Sequence, residues 1–126
     1  MEFNIENYHL KSSSFFDFIS PEKFKHLKSK LIHKEFSKGE ILFRDGSYSK
    51  GVYIIKRGKV KIFQMNIDGK QSIVYIYKRG DYFGYRPILA DEPHPVSAAA
   101  MDHVTVTFIP RAFFQDLMKC PDLINE

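Results

Sequence analysis

Residues 51–77 read GVYIIKRGKVKIFQMNIDGKQSIVYIY, and this stretch decides the fold. Its runs of Val, Ile, Tyr and Phe, residue types that favour strands, are interrupted by the turn dipeptides Arg57-Gly58 and Asp68-Gly69. Glycine adopts the positive φ of a tight hairpin turn without a steric penalty. The stretch therefore predicts three antiparallel strands that are joined by two successive hairpins.

Strand signals continue on both sides of this stretch. Seven glycines, all between residues 39 and 84, separate short runs that are rich in Val, Ile, Tyr and Phe. Further along, Val104, Val106 and Phe108 alternate with threonines, so that they share one face of a half-buried strand. About eight antiparallel strands between residues 31 and 109 predict a mainly β fold, a double-stranded β-helix or jelly roll.

A short helix is predicted on each side of the strands. The tripeptide Ser-Pro-Glu at residues 20–22 combines an N-cap residue, a proline at the first helical position and an acid in the first turn. Apolar residues then recur every three or four positions, which predicts a helix over about residues 20–31. Pro110 ends the last strand, and a second helix is predicted over residues 111–118. Its buried side chains are expected to be Phe113, Phe114 and Leu117.

Composition limits the class of protein. The chain has 126 residues and is 44% hydrophobic, which is expected for one folded domain over residues 1–126. Its formal net charge is +4. No apolar run approaches the roughly 18 residues of a membrane span, and the N-terminus lacks the basic and apolar regions of an export signal. We therefore expect a cytoplasmic protein with no membrane partner. Its single cysteine, Cys120, excludes an intrachain disulfide and fits a reducing compartment.

The sequence offers no catalytic centre. It contains no Gly-x-Ser-x-Gly motif, no Walker loop and no Cys–His pair at catalytic spacing, so we expect no enzyme activity. A cupin-like metal site needs two histidines one residue apart, whereas His94 and His103 are nine positions apart, and no metal site is predicted. One histidine as an axial haem ligand remains open. The alternative function also remains open, a free-standing jelly-roll small-molecule binder or cupin-like metalloprotein.

Residues 80–100, GDYFGYRPILADEPHPVSAAA, lack the alternation of a strand. Pro87 lies at an early position of a predicted helical turn over residues 87–90, and the Pro-His-Pro stretch after it cannot occupy a central strand. A loop with a short helix, laid over a sheet, can hold an anion at its free backbone N–H groups. A tight packing loop explains the same residues equally well, and the sequence leaves both interpretations open.

The order of the motifs resembles one known family. Residues 40–46 (EILFRDG), 52–60 (VYIIKRGKV) and 80–84 (GDYFG) are similar to the cyclic-nucleotide-binding domain of the Crp/Fnr superfamily of bacterial transcription regulators. The resemblance implies a cyclic-nucleotide-binding-domain-like jelly roll that senses an effector and signals to a DNA-binding domain. It also implies a homodimeric full-length protein that contacts DNA only through a helix-turn-helix domain, which we expect to be absent from residues 1–126.

In this family, residues 80–100 correspond to the phosphate-binding cassette. Relatives that bind cyclic AMP have a glutamate directly after Phe-Gly, which accepts from the ribose 2′-hydroxyl, and this chain has Tyr85 there. The arginine that pairs with the cyclic phosphate corresponds to His94, which is mostly neutral near pH 7. The resemblance therefore implies a cassette without its two main nucleotide contacts. The expected effector is an unknown small molecule rather than cyclic AMP or cyclic GMP, and no cofactor is predicted.

Six residues of the cassette are candidates for ligand binding, namely Phe83, Gly84, Tyr85, Arg86, His94 and Ser97. Arg86 is either a substitute phosphate clamp or an exposed arginine, alone or paired with Asp91 or Glu92. Tyr85 is either a ligand contact or an aromatic plug that fills the vacated site. The Ser97 hydroxyl is the candidate replacement for a hydroxyl donor of the family motif.

Overall fold

The computed structural model describes residues 10–11, 22, 25 and 29–118 of the chain. Within this part, the strands in chain order are β1 (Leu10–Lys11), β2 (Ile32–Phe36), β3 (Ile41–Phe43), β4 (Gly51–Arg57), β5 (Val60–Met65), β6 (Gln71–Tyr77), β7 (Asp81–Phe83), β8 (Ser97–Ala100) and β9 (Val104–Pro110). Two helices have described bounds, α1 (Arg86–Ala90) and α2 (Arg111–Met118). Both helices were predicted and are confirmed. Of the three side chains expected to be buried in α2, Phe114 and Leu117 are buried, whereas Phe113 is only partly buried.

The helix predicted over residues 20–31 falls largely outside the described residues. Glu22, Lys25, Ser29 and Lys30 are described, and all four are helical and exposed to solvent. Exposed polar residues at this spacing are typical of the solvent face of an amphipathic helix. The prediction for most other residues of this helix lies outside the described part of the chain, as does Cys120.

The strands form two antiparallel sheets. The five-stranded sheet has the order β1-β7-β4-β9-β2, and the four-stranded sheet has the order β3-β8-β5-β6. Eight strands, β2 to β9, lie in the region where about eight were predicted, and with their few helices they form a jelly roll. The predicted fold class is confirmed. None of the helices in the described residues has the length and apolar character needed to span a membrane.

One of the two predicted hairpins is wrong. The Asp68-Gly69 turn does join paired strands, β5 and β6, in one sheet. The connection at Gly58, however, leads from β4 in one sheet to β5 in the other. Gly58 has a φ of 88°, and a Cβ there would collide with the backbone oxygen of His103 and lie 2.7 Å from Asp102 Oδ1. Glycine is therefore needed here for close packing against another segment rather than for a hairpin.

Two apolar clusters hold the fold together. The inner cluster lies between the two sheets and consists of Phe43, Tyr53, Ile55, Val60, Ile62, Tyr77, Phe83, Val96, Ala98, Ala100, Val104, Val106 and Phe108. The outer cluster joins the other face of the five-stranded sheet to the helices and consists of Val52, Ile54, Tyr82, Tyr85, Ile88, Ile109, Phe114 and Leu117. The predicted common face of β9 is confirmed, because its three alternating apolar residues all belong to the inner cluster. The strand is not half buried as expected, since Thr107 and Ile109 on its other face are buried too.

Strand β8 has no counterpart in the sequence interpretation. All four of its residues, Ser97 to Ala100, are buried, and the strand lies between β3 and β5. Alanine is disfavoured in strands, so the run of three alanines did not indicate one. In the interior of a sheet, however, small side chains let the neighbouring layers approach closely. This central strand brings the end of the cassette segment into the sheet.

Candidate functional site

The candidate site is built on the segment between β7 and β8. Gly84 follows β7 with a φ of 93°, and a Cβ there would lie 2.9 Å from the backbone oxygen of Gly51, so only glycine fits. Helix α1 begins directly afterwards with Pro87 at its second position. It ends at Asp91, which has a left-handed φ of 54°. The chain then runs through Pro93 into β8, so this cassette wraps one side of the jelly roll.

A second segment, residues 44–50, is bonded to the cassette along its length. We call it the 44–50 loop. Gly46 N donates to His94 O (2.9 Å), and His94 N donates to Ser47 O (2.8 Å). The buried Ser49 hydroxyl donates to Gly84 O (2.8 Å). The two segments therefore behave as one unit, and the sequence interpretation missed this because the partners lie far apart in the chain.

A carboxylate also reaches the cassette from this loop. Ser97 Oγ accepts from Asp45 N (2.9 Å) and donates to Asp45 Oδ1 (3.0 Å), although the two residues are 52 positions apart. The hydroxyl proposed as a replacement ligand donor is thus already engaged. Asp45 lies in one of the motifs that carry the family resemblance, but a turn aspartate gives no signal about so distant a partner.

A column of aromatic rings runs from β6 to the cassette through the inner cluster. We call Tyr77, Phe83, Tyr53, Phe43 and His94 the aromatic column. The Tyr77 and Phe83 rings are stacked at a centroid distance of 4.8 Å, and the Phe83 and Tyr53 rings at 5.3 Å. Phe43 is tilted against Tyr53 at 5.8 Å, and it stacks on His94 at 3.7 Å. These buried rings fill the interior beside the cassette.

His94 is the cassette end of this column. Its side chain is 2% exposed, and its Nδ1 atom is buried without a hydrogen-bond partner. Burial lowers the pKa of His94 from 6.5 to about 4, because the apolar surroundings disfavour the charged imidazolium. At neutral pH the ring is therefore uncharged, and it packs as an aromatic side chain rather than acting as a cation.

This burial predicts a pH dependence of stability. Between pH 6.5 and about 4 the unfolded chain binds a proton at His94 that the folded chain does not. The free energy of unfolding is therefore unaffected by His94 above pH 6.5. It falls by up to about 3 kcal/mol as the pH drops towards 4, the pKa of His94 in the folded chain. Urea unfolding at several pH values checks it, with His94→Phe, which keeps a ring on Phe43, as the comparison. Parallel pH profiles for the two proteins would show that His94 is not buried uncharged.

The Asp45–Ser97 pair predicts a second effect. Ser97→Ala removes the partner of both the Asp45 N–H and its carboxylate, so unfolding should cost about 1–3 kcal/mol less. Ser72→Ala, at an exposed position of β6, is the control and should change stability by less than about 0.5 kcal/mol. In a double-mutant cycle, Asp45→Asn and Ser97→Ala should be non-additive. Equal effects of the two serine substitutions would contradict this geometry.

The other candidates lie apart from the aromatic column. Tyr85 belongs to the outer cluster and packs against Tyr82 with a centroid distance of 5.3 Å. Burial raises the pKa of Tyr85 to about 12, an effect that the nearby Arg86 partly opposes. The Arg86 side chain is exposed. Asp91, which the sequence offered as an ion-pair partner for Arg86, accepts from Arg111 Nη2 at 3.2 Å instead.

The structure thus divides the six candidate residues into three pairs. Phe83 and His94 are in the aromatic column, whereas Gly84 and Ser97 are bonded to the 44–50 loop. Tyr85 and Arg86 lie on the outer side, one buried and one exposed. Within the described residues, no three side chains of His, Cys, Asp or Glu gather as a metal site would require.

The described residues thus form a two-sheet jelly roll with a short helix between β7 and β8. A family model of the cyclic nucleotide-binding domain matches residues 33–119. The chain belongs to this family, and its resemblance to Crp/Fnr sensor domains is confirmed. The family is a regulatory binding domain and is not itself catalytic.

Relatives of two kinds share the domain. The chain is 32% identical to the fumarate and nitrate reduction regulatory protein of Vibrio cholerae over 71% of this chain and 36% of that protein. It is also 32% identical to the cAMP-dependent protein kinase regulatory subunit of Emericella nidulans over 67% of this chain and 20% of that protein. The Thermus thermophilus catabolite activator protein has the same fold, with a TM-score of 0.74 at 21% identity, over 88% of this chain and 52% of that one. The chain therefore spans about a third or less of the two sequence relatives.

Proposed function

We propose that the chain is the effector-sensing domain of a Crp/Fnr-type transcription regulator whose cassette does not accept a cyclic nucleotide. The observation that carries the proposal is the stack of His94 on Phe43 at 3.7 Å. It puts an uncharged, buried ring at the position where the family resemblance implies a phosphate-binding arginine. A guanidinium offers a permanent charge and two parallel donors, and a buried neutral imidazole offers neither.

Electrostatics at Ser97 support the same conclusion. A phosphate that reached the Ser97 hydroxyl would meet the carboxylate of Asp45, which already accepts from that hydroxyl. Two like charges about 4 Å apart repel by about 1 kcal/mol in water and about 4 kcal/mol near a protein surface. Because Asp45 is exposed, the penalty falls within this range. The domain is therefore expected to respond to a different ligand.

Helix α2 supplies a route by which such a ligand can signal. Arg111, its first residue, donates from Nη1 to Ser49 O (3.1 Å) and from Nη2 to Asp91 Oδ1 (3.2 Å). Its backbone N–H donates to Lys50 O (2.8 Å). The start of α2 is thus bonded to both the 44–50 loop and the end of α1. A ligand that favours one arrangement of these segments would shift the orientation of α2 and of a DNA-binding domain beyond it.

Measurements on the natural protein would test this role. We expect its intact mass and sequence to include a helix-turn-helix domain after the sensor, and we expect a cytoplasmic homodimer that binds DNA through that domain. Gel filtration, mass spectrometry and a DNA mobility-shift assay measure these properties. A natural protein that lacks a DNA-binding domain and carries stoichiometric iron or zinc would contradict the proposal and would favour a free-standing, cupin-like metalloprotein.

A further inference from the structure

A groove with a volume of about 250 Å³ opens between β3, the 44–50 loop and Tyr53 of β4. It is separate from the cassette segment, none of whose residues line it. Phe43 and Tyr53, both buried rings of the aromatic column, contribute its apolar side. The hydroxyl of Tyr53 donates to Leu42 O at 3.3 Å, which holds that ring in place. The groove therefore has a preformed aromatic wall.

Two cations face the same groove. Arg44 and Lys50 line it from the two ends of the 44–50 loop, and its lining includes no Asp or Glu. Neither cation forms an ion pair with a described residue. Asp45, the acid next to Arg44 in the chain, is bonded to Ser97 instead. The Ser47 hydroxyl, which donates to Arg44 O, and the exposed ring of Tyr48 also line the groove. The groove thus combines positive charge, donors and rings.

We propose that this groove is an effector site that binds a small anion carrying one ring, an aromatic carboxylate or a phosphate monoester. The two cations would hold the anionic group, and the rings of Phe43 and Tyr53 would contact the ring of the ligand. The volume is below the roughly 300–1,000 Å³ of most ligand pockets, which favours one ring over a whole nucleotide. That this ligand is the effector rests on the proposed sensor function.

The contacts of the groove connect it to the signalling route. Phe43 lines the groove and also stacks on His94. Ser47 lines the groove and accepts from His94 N through its backbone oxygen. Lys50 accepts from the backbone N–H of Arg111 at the start of α2. A ligand that draws Arg44 and Lys50 together would therefore act on the cassette and on α2 through bonds that already exist.

Titration calorimetry of the natural protein with benzoate and with phenyl phosphate tests the site. At least one of them should bind saturably with a dissociation constant below about 1 mM. Phenol, which lacks the charge, and inorganic phosphate, which lacks the ring, should each bind at least about tenfold more weakly. Arg44→Gln and Lys50→Gln should each weaken binding by about tenfold or more. Lys70→Gln, an exposed cation on the β5–β6 hairpin, is the matched control and should leave binding unchanged.

Two results would overturn the site. One is the absence of saturable binding of both probes, and the other is binding that Arg44→Gln and Lys50→Gln leave at the wild-type level. All three substituted side chains are exposed, so heat unfolding should show folded variants with midpoints close to that of the wild type. The test of the groove and the test of the sensor role can fail independently of each other. A natural protein with a DNA-binding domain but no probe binding would reject only the groove, and probe binding without a DNA-binding domain would reject only the regulator.

Discussion

Substitution of Gly51 by alanine should destabilise the protein by more than about 3 kcal/mol or prevent it from folding. Gly51 begins β4 and pairs with Pro110 of β9. An added Cβ would collide with the carbonyl oxygen of Ile109 and lie 2.5 Å from Cζ of Phe108. The first of these atoms is backbone in a paired strand, and the second belongs to a buried ring. Neither can move without disrupting the five-stranded sheet.

Gly69→Ala is the control for this effect. Gly69 has a φ of 81°, but no atom lies within 4 Å of an added Cβ, so only backbone strain of about 1–2 kcal/mol is expected. Urea unfolding followed by circular dichroism measures both variants. If Gly51→Ala were no more destabilising than Gly69→Ala, the close packing of β4 against β9 described above would be wrong.

Phe83→Ala should cost about 3–5 kcal/mol of stability. The Phe83 side chain is fully buried between the rings of Tyr77 and Tyr53, so its removal leaves a void in the middle of the aromatic column. Surrounding rings stacked on both sides cannot collapse into this void without losing their own contacts. Leu89→Ala, at a position of α1 that is 56% exposed, is the control and should cost less than about 1 kcal/mol. Equal losses in the two variants would mean that the column does not support the core.

The local sequence pattern was sufficient to predict most strands and the two helices with described bounds. The alternation of β9 and the turn at Asp68-Gly69 depend on neighbouring residues, and both predictions are confirmed. Arg57-Gly58 has the same local character, yet it joins two sheets, because its environment is set by the segment around His103. Strand β8 was missed for a related reason. Its alanines lie in a strand because β3 and β5, from other parts of the chain, pair with it on both sides. The strand preference of the individual residues does not indicate this pairing.

In the candidate site, too, the sequence predicted local features but not the contacts between distant segments. The family resemblance predicted a cassette over residues 80–100, and it marked Tyr85 and His94 as departures from the nucleotide-binding pattern. It did not reveal that His94 stacks on Phe43 or that Ser97 is bonded to Asp45. Both contacts join segments about fifty residues apart in the sequence. The groove beside the 44–50 loop was missed altogether, since its cations are ordinary surface residues until the fold places them beside two rings.

The proposed function requires that the cassette does not bind a cyclic nucleotide. Titration calorimetry of the natural protein with cyclic AMP and with cyclic GMP measures this. The cAMP-dependent protein kinase regulatory subunit of Emericella nidulans, measured in the same buffer, serves as the positive control for cyclic AMP. We predict no saturable binding of either nucleotide to the present protein with a dissociation constant below about 10 µM. Binding tighter than about 10 µM, equivalent to about −7 kcal/mol, would contradict the account.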